Sequence, residues 1–359
     1  MTKEELKIIF FGTPDFAVES LSRLVDGGYN VVAVVTMPDK PAGRGRQLQQ
    51  SDVKRYAVEH GLPVLQPVSL KDEAFIEELR AFGAQLFIVI AFRMLPEAVW
   101  QMPPLGTFNL HASLLPRYRG AAPINWAVMN GDTETGVTTF FLKHEIDTGD
   151  VIQQRSCPIG RQENVEDIHD RLMTMGAGMV LETVDAIIDG TVKPIPQEQM
   201  LTAGQQPTPA PKIFKDTCRI DWSRPAEALY NHIRGLSPYP AAWTTLADEA
   251  GTELTTLKVF KTSEPIPFAQ GEQPAPGAIQ ADRKTLQVAC SDGWLQVLSL
   301  QQSGKKRMDT DAFLRGFTLT PGCHCQEPLT LLIRHIETQN KCCVPTFFWS
   351  IKTLCGASR

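Results

Sequence analysis

The sequence predicts an α/β protein in which a mostly parallel sheet, covered by helices on both faces, is followed by a smaller β-barrel domain. Three observations lead there. Near-continuous runs of Val, Ile and Phe alternate with helical segments through the first half, as strands buried on both faces require. From about Lys212 the pattern changes to short strands of alternating polarity, such as 255–260, 278–281, 286–290 and 294–300, which suit a small closed sheet. Between the two lies Gly204-Gln205-Gln206-Pro207-Thr208-Pro209-Ala210-Pro211, a proline-rich connector. At 359 residues there is material for two cores. The expected division is a first domain at 1–190, a linker at 191–211, a second domain at 212–325 and a tail at 326–359.

Taken in order, Lys7-Ile8-Ile9-Phe10-Phe11-Gly12 is a buried strand, and Thr13-Pro14-Asp15 offers an N-cap with proline at the first helical position. A helix over 14–26 follows, stopped by Gly27-Gly28, and residues 30–36 form a second strand. Such a Rossmann-like start invites a dinucleotide. The fingerprint needs GxGxxG so that a pyrophosphate can approach the backbone, whereas this turn reads Gly12-Thr13-Pro14-Asp15-Phe16-Ala17. One glycine, a proline and an acidic residue where the anion would sit argue against NAD.

Residues 37–48 are too rich in glycine and proline for regular structure. Lys40, Arg44 and Arg46 outnumber Asp39 there, which suits a phosphate-bearing partner or simply a solvated loop. Strand 63–66 and helix 71–82 precede the most apolar strand, 86–92, which runs into Arg93-Met94-Leu95-Pro96. That junction falls at the carboxyl edge of the sheet, where open α/β folds place ligands. A loop there could wrap a flat heterocycle.

After the breaker Pro103-Pro104-Leu105-Gly106, residues 107–113 read as a strand whose Asn109, His111 and Ser113 share a face. An amide two residues from an imidazole at a strand end can polarise a carbonyl and hold the negative oxygen that forms on attack. A satisfied core histidine beside a turn asparagine is the structural alternative. The run Leu114-Leu115-Pro116 leads to the basic turn Arg117-Tyr118-Arg119-Gly120, then a helix over 123–129 and a strand over 137–142. That strand delivers Asp147-Thr148-Gly149. A carboxylate at Asp147 could stabilise a charged His111 or take a proton through water. It could also be a turn residue, or half of an aspartic-protease pair, but a protease needs two such carboxylates and the sequence has one Asp-Thr-Gly. Residues 164–189 read as a long amphipathic helix capped by Asn164 and stopped by Gly190.

Composition narrows the class. A 43% hydrophobic and 21% charged chain without a membrane-length apolar window, opening on acidic MTKEELKIIFFGT, reads as cytoplasmic, with neither membrane partner nor secretory signal. The net charge of −5 argues against coating of DNA or RNA, so any RNA contact must use local basic patches. Of eight cysteines, five lie in the last 37 residues. Cys323, Cys325, Cys342 and Cys343 invite zinc, but their spacing is not that of a standard finger, so an irregular tail without metal is expected.

The combination Asn109-Leu110-His111, Ser113-Leu114-Leu115-Pro116-Arg117-Tyr118-Arg119-Gly120 and Asp147-Thr148-Gly149 resembles the folate-dependent formyltransferases, and the resemblance runs from Lys7 to about Cys325. Within that family three features are similar to the branch acting on initiator tRNA. The chain is far longer than the single-domain glycinamide ribonucleotide enzymes. The 41–46 loop resembles the insertion that meets the tRNA acceptor stem. Residues 220–226 and 234–243 resemble the start of that branch's second domain, which UDP-amino-sugar formyltransferases also carry. The resemblance implies an OB-like second domain and transfer of the formyl group of 10-formyltetrahydrofolate to the α-amino group of methionine on initiator tRNA, by a monomer without metal. It implies catalytic roles for Asn109, His111 and Asp147. It implies folate contacts at Phe92, Met94, Leu95, Ser113, Leu114, Leu115 and Pro116, and tRNA contacts at Lys40, Arg44, Arg46, Lys305, Lys306 and Arg307. The alternatives are a formyltransferase acting on a sugar-nucleotide amine or other small amine, and a non-catalytic RNA-binding module.

Overall fold

The computed structural model describes residues 1–42, 47–201 and 206–326. Among the described residues, contacts divide the chain into two compact units, one of Met1–Cys218, Tyr230–Ala242 and Val259–Lys261, the other of Arg219–Leu229, Trp243–Lys258 and 262–326.

In the first unit β1 (Ile8–Gly12), α1 (Asp15–Asp26), β2 (Val31–Val35), β3 (Lys40–Ala42), β4 (Gln47–Gln49), α2 (Asp52–Glu59), β5 (Val64–Leu65), α3 (Glu73–Ala81), β6 (Leu86–Ile90) and α4 (Glu97–Trp100) are followed by β7 (Thr107–His111), β8 (Arg117–Gly120), α5 (Pro123–Met129), β9 (Glu134–Phe141), β10 (Val151–Pro158), α6 (Val165–Ile188) and β11 (Thr208–Ala210). The main sheet has the order β10-β9-β7-β6-β1-β2-β5. From β7 to β5 every pairing is parallel, and β9 and β10 run antiparallel at one end. Successive residues serve opposite faces, which is why the strands are apolar throughout. Ile8, Phe10, Ile88, Phe108 and Leu110 pack with Leu21, Leu24, Ile168 and Leu172 of α1 and α6. Ile9, Phe11, Val35, Phe87 and Val89 pack with Phe75, Leu79 and Val99 of α3 and α4.

Several local expectations are corrected. Helix α1 starts at Asp15 behind Pro14, with no side-chain cap, so Thr13 is not its N-cap. The basic loop expected to be irregular is flanked by β3 and β4, paired antiparallel from Lys40 with Gln49 to Ala42 with Gln47. The strand expected over 107–113 ends at His111. Long helix α6 is capped as expected: Asn164 accepts from the Glu166 and Asp167 amides at 2.7 and 3.3 Å, and Asp167 accepts from the Asn164 amide at 2.8 Å. The predicted linker at 191–211 belongs, where described, to the first unit. Ile195 and Val151 exchange two backbone bonds of 2.8 Å, and β11 pairs in parallel with β8. Proline removes donors but leaves carbonyls, and those of Ala210 and Pro211 accept from Ala122 and Trp126.

Beyond α7 (Ala226–Gly235) come β12 (Ala242–Ala247), β13 (Glu253–Thr262), β14 (Ile266–Pro267), β15 (Ile279–Ala281), β16 (Leu286–Ala289), β17 (Gly293–Gln302), β18 (Met308–Asp309), α8 (Thr310–Gly316) and β19 (His324–Cys325). The second sheet has the order β15-β16-β17-β13-β12-β19, with β14 and β18 beside β17. An antiparallel bridge between Ala278 and His324 joins its two ends, closing the sheet. The Cys325 amide donates to the Gly277 carbonyl at 2.8 Å. Position 277 must be glycine, because its φ is +83° and a Cβ would meet the Cys325 oxygen at 2.2 Å. Trp222, wholly buried, donates from Nε1 to Thr244 at 3.0 Å inside this unit. The tail expectation for 326–359 falls, after Gln326, outside the described residues.

Candidate active site

A cavity of about 650 Å³ opens beyond the carboxyl ends of β1, β6 and β7. From β1 the chain builds the sheet outward one way through β2 and β5, then returns to build the other way through β6 and β7. The crevice at such a reversal is where this architecture binds ligands, and the volume suits a small organic molecule. Pro14 and Phe16, residues 91–95, 109–112, 120–125 and 142–147, and His169 line it. The 91–95 wall leaves β6 through Ala91 at φ +47°. Arg93 straps it down, donating to the Val68 carbonyl at 2.8 Å and to the Pro67 carbonyl. Burial lowers the Arg93 pKa from its ordinary value, and its Nε is buried without a hydrogen-bond partner among the described residues.

Asn109 and His111 project from the same face of β7, as period-two alternation requires. His111 Nε2 lies 2.8 Å from the Tyr118 carbonyl oxygen. That oxygen can only accept, so Nε2 carries the proton. Nδ1 then faces Asp147 Oδ2 at 3.8 Å, with side-chain exposures of 8% and 14%. The same carboxylate oxygen accepts from the Gly120 amide at 2.9 Å. Asn109 Oδ1 is buried with no hydrogen-bond partner among the described residues. A buried, unsatisfied amide is costly unless a ligand completes it, and a half-turn of the side chain would present its NH₂ at the same place.

Strain accompanies this geometry. Asp147 sits at φ +55° and Tyr118 at +61°. A bulky residue rarely adopts that region without support. Tyr118 has it: its hydroxyl donates to Asp132 at 2.7 Å and accepts from Asn130 at 3.1 Å. Burial, then the bond to Asp132, pushes the phenol's pKa up, keeping it a neutral donor.

The comparisons bear on what such a site belongs to. Residues 6–184 match the family model described as formyl transferase, and 212–318 match that of the formyl transferase C-terminal domain. A methionyl-tRNA formyltransferase of Bacteroides fragilis is 63% identical over 321 residues, covering 89% of this chain and 98% of the relative. The chain belongs to the methionyl-tRNA formyltransferase family. A relative of that name from Porphyromonas gingivalis is 54% identical over 322 residues, 89% of this chain and 98% of its own. Among solved structures, a sugar 3N-formyl transferase in the presence of dTDP and 5-N-formyl-THF has a TM-score of 0.56 at 18% identity, covering 84% of this chain and 99% of its own. An N-formyltransferase from Helicobacter canadensis with folinic acid and dTDP-3-aminofucose gives 0.58 at 18% identity, covering 83% and 99%. At that identity the likeness concerns the fold.

Within this family framework, the cavity brings together Asn109, His111, Asp147, Phe92, Met94 and Leu95. Ser113, Leu114, Leu115 and Pro116 do not line it. Because β7 ends at His111, Ser113 falls in a bend, is fully buried and donates to the Arg117 carbonyl at 2.7 Å. The Leu115 amide donates to Thr138 at 3.2 Å, and its carbonyl accepts from Gln154 at 2.9 Å. This segment is thus bonded to β9 and β10. Lys40 is exposed, and the charge of neighbouring Asp39 is taken up by Lys54 at 2.6 Å, whose bond, with that of Gln66, holds the Asp39 pKa low. Lys305, Lys306 and Arg307 are exposed between β17 and β18, while Arg44 and Arg46 lie outside the described residues. Among the described residues no group of three or more His, Cys, Asp or Glu could hold a metal, and Cys342 and Cys343 lie beyond them. No helix among them is long and apolar enough to cross a membrane.

Sequence reasoning missed Gly120, Tyr118 and His169. The first two lie in the quoted motif but act through backbone atoms, and side-chain chemistry gives no sign of that. His169 is a lone histidine on a helix, edge-on to Phe16 at 5.2 Å.

Proposed function

We propose that the protein transfers the formyl group of 10-formyltetrahydrofolate to the α-amino group of methionine on initiator tRNA. The observation that carries this reading is the meeting of Asn109, His111 and Asp147 at one cavity in a chain 63% identical to a methionyl-tRNA formyltransferase. The cavity fits a folate headgroup. Phe92, Met94 and Leu95 would hold the apolar faces of a flat ring, while backbone groups of 91–95 would meet its polar edge. The bound folate supplies the formyl group. The protein's own groups then do the chemistry around the carbonyl oxygen and the amine. The Asn109 amide, turned to present its NH₂, donates to the oxygen on which charge develops. Protonated at Nδ1, His111 adds a second donor, with Asp147 as its counter-charge. As the amine nitrogen bonds to the formyl carbon, Asp147 would receive the amine proton through water, since 3.8 Å to His111 leaves it free of a tight bond there, and that proton would pass to the folate nitrogen when its bond to the formyl carbon breaks. Lys40, Arg44, Arg46, Lys305, Lys306 and Arg307 would contact tRNA phosphates. The protein would act as a cytoplasmic monomer.

The deciding experiment offers the purified protein and 10-formyltetrahydrofolate both methionyl-initiator tRNA and a UDP-amino-sugar. Formyl transfer to the tRNA-borne methionine is expected. Transfer to the sugar nucleotide alone, or none to either, would overturn the reading.

A further inference from the structure

We infer that Gln197 is a positioning residue for the Asp147 carboxylate, which rests on the reading that Asp147 acts with His111. Gln197 has no exposed surface, although it starts a short 3-10 helix, Gln197–Met200, whose next two residues are exposed. Its Oε1 accepts from Arg119 Nε at 3.1 Å and Nη2 at 2.8 Å. Its Nε2 donates to the carbonyls of Asp147 at 2.9 Å and Gly149 at 2.8 Å. One amide thus spends both donors and both lone pairs on the segments flanking the carboxylate. Arg119 immediately precedes Gly120, whose amide donates to Asp147 Oδ2 at 2.9 Å. The connections close a ring: Gln197 to Arg119, along the chain to Gly120, across to the Asp147 side chain, and from its backbone to Gln197.

The ring matters because it ties the loop to a distant segment, whereas the bonds from Lys143 to Asp150 at 2.7 Å and from Thr148 to the Glu145 carbonyl at 3.0 Å stay within the loop. Residues 143–146 are exposed, and Asp147 holds an uncommon left-handed backbone. Its inner side is crowded, for a Cβ at Gly149 would lie 1.5 Å from the Phe141 oxygen. Gln197 is itself anchored by the paired bonds between Ile195 and Val151. A buried amide must be satisfied somewhere, but here all its partners bear on the orientation of one carboxylate.

A positioning role and a merely structural one differ in what they couple to. Gln197→Met keeps the volume and removes every bond, while Gln197→Glu keeps an acceptor for Arg119 and loses both donors. Both should lower kcat about tenfold or more and leave KM for folate and tRNA within about twofold, since small misplacements act on the chemical step. Rates are taken per folded enzyme, counted by the stoichiometry of 5-formyltetrahydrofolate binding. In an Asp147→Asn background, Gln197→Met should lower kcat no further. Losses that multiply in the double variant, or a Gln197→Met enzyme with unchanged kcat beside a crippled Asp147→Asn enzyme, would overturn the role of Gln197 alone. An Asp147→Asn enzyme with full kcat would overturn the reading beneath it. If Gln197→Met does not fold, Gln197→Glu gives the same comparison.

Discussion

The bond from His111 Nε2 to the Tyr118 carbonyl leaves Nδ1 as the ring nitrogen facing Asp147. Asn109, two residues earlier on the same strand face, brings an amide whose Oδ1 has no hydrogen-bond partner among the described residues. Together they make the cavity's polar corner, so Asn109→Ala and His111→Ala should each slow formyl transfer about 10²-fold or more. Single-turnover rates would show it, and tRNA affinity should stay within a few-fold of the parent; a fully active variant would remove that residue from the mechanism. The Asn-x-His spacing is legible because a strand alternates with period two whatever its surroundings. Ser113 is not, since that alternation holds only as far as the strand, and β7 ends two residues before it. Gln197 is invisible for another reason: a glutamine in Pro196-Gln197-Glu198 carries no local sign that the chain folds back against Asp147.

Among elements, α6 shows how local sequence and packing agree. Its Asn164 box caps the first turn, and Glu163 just before it receives the Gly160 amide at 2.6 Å and two bonds from Arg171, one at 3.2 Å. The Arg171 bonds hold the Glu163 carboxyl below its ordinary 4.5. A carboxylate with a depressed folded-state pKa stabilises the fold above its unfolded value, and that contribution disappears as pH falls through the folded value. Both side chains are partly exposed, so the effect should be about 1 kcal/mol at most. The gap in Tm between the parent and Glu163→Gln should therefore be widest near neutrality and narrow as pH drops from 4.5 downward. A gap independent of pH would refute the assignment. Asn164→Ala should lower stability by about 1 kcal/mol at any pH where the fold persists, because the acceptor it removes is uncharged. Such a helix, like the Val- and Ile-rich strands, can be read from sequence because its caps and period lie within one segment. Strands β8 and β11 cannot, because each exists through its pairing with the other across about ninety residues.

At the scale of the whole molecule, charge sets the terms on which a polyanion can bind. A net charge of −5 opposes general attraction to RNA, so affinity for tRNA must come from local clusters whose phosphate contacts release counterions. In the closed-sheet unit, Lys305, Lys306 and Arg307 stand together on an exposed turn, with Arg307 steadied by a 3.0 Å bond to Ser299, and are proposed here as one such cluster. For every phosphate left without its cationic side chain, the slope of log Kd against log salt should fall by about 0.7 to 0.9. Replacing all three with Gln should then flatten the slope by about 2 to 3, if each meets one phosphate. Folate binding should not change, because none of the three lines the cavity, and kcat at saturating tRNA should also hold. The measurement is a salt titration of methionyl-tRNA binding for the parent and the triple variant. An unchanged slope would remove this turn from the tRNA surface, whereas loss of kcat with the slope intact would mean that the turn supports the fold rather than the ligand.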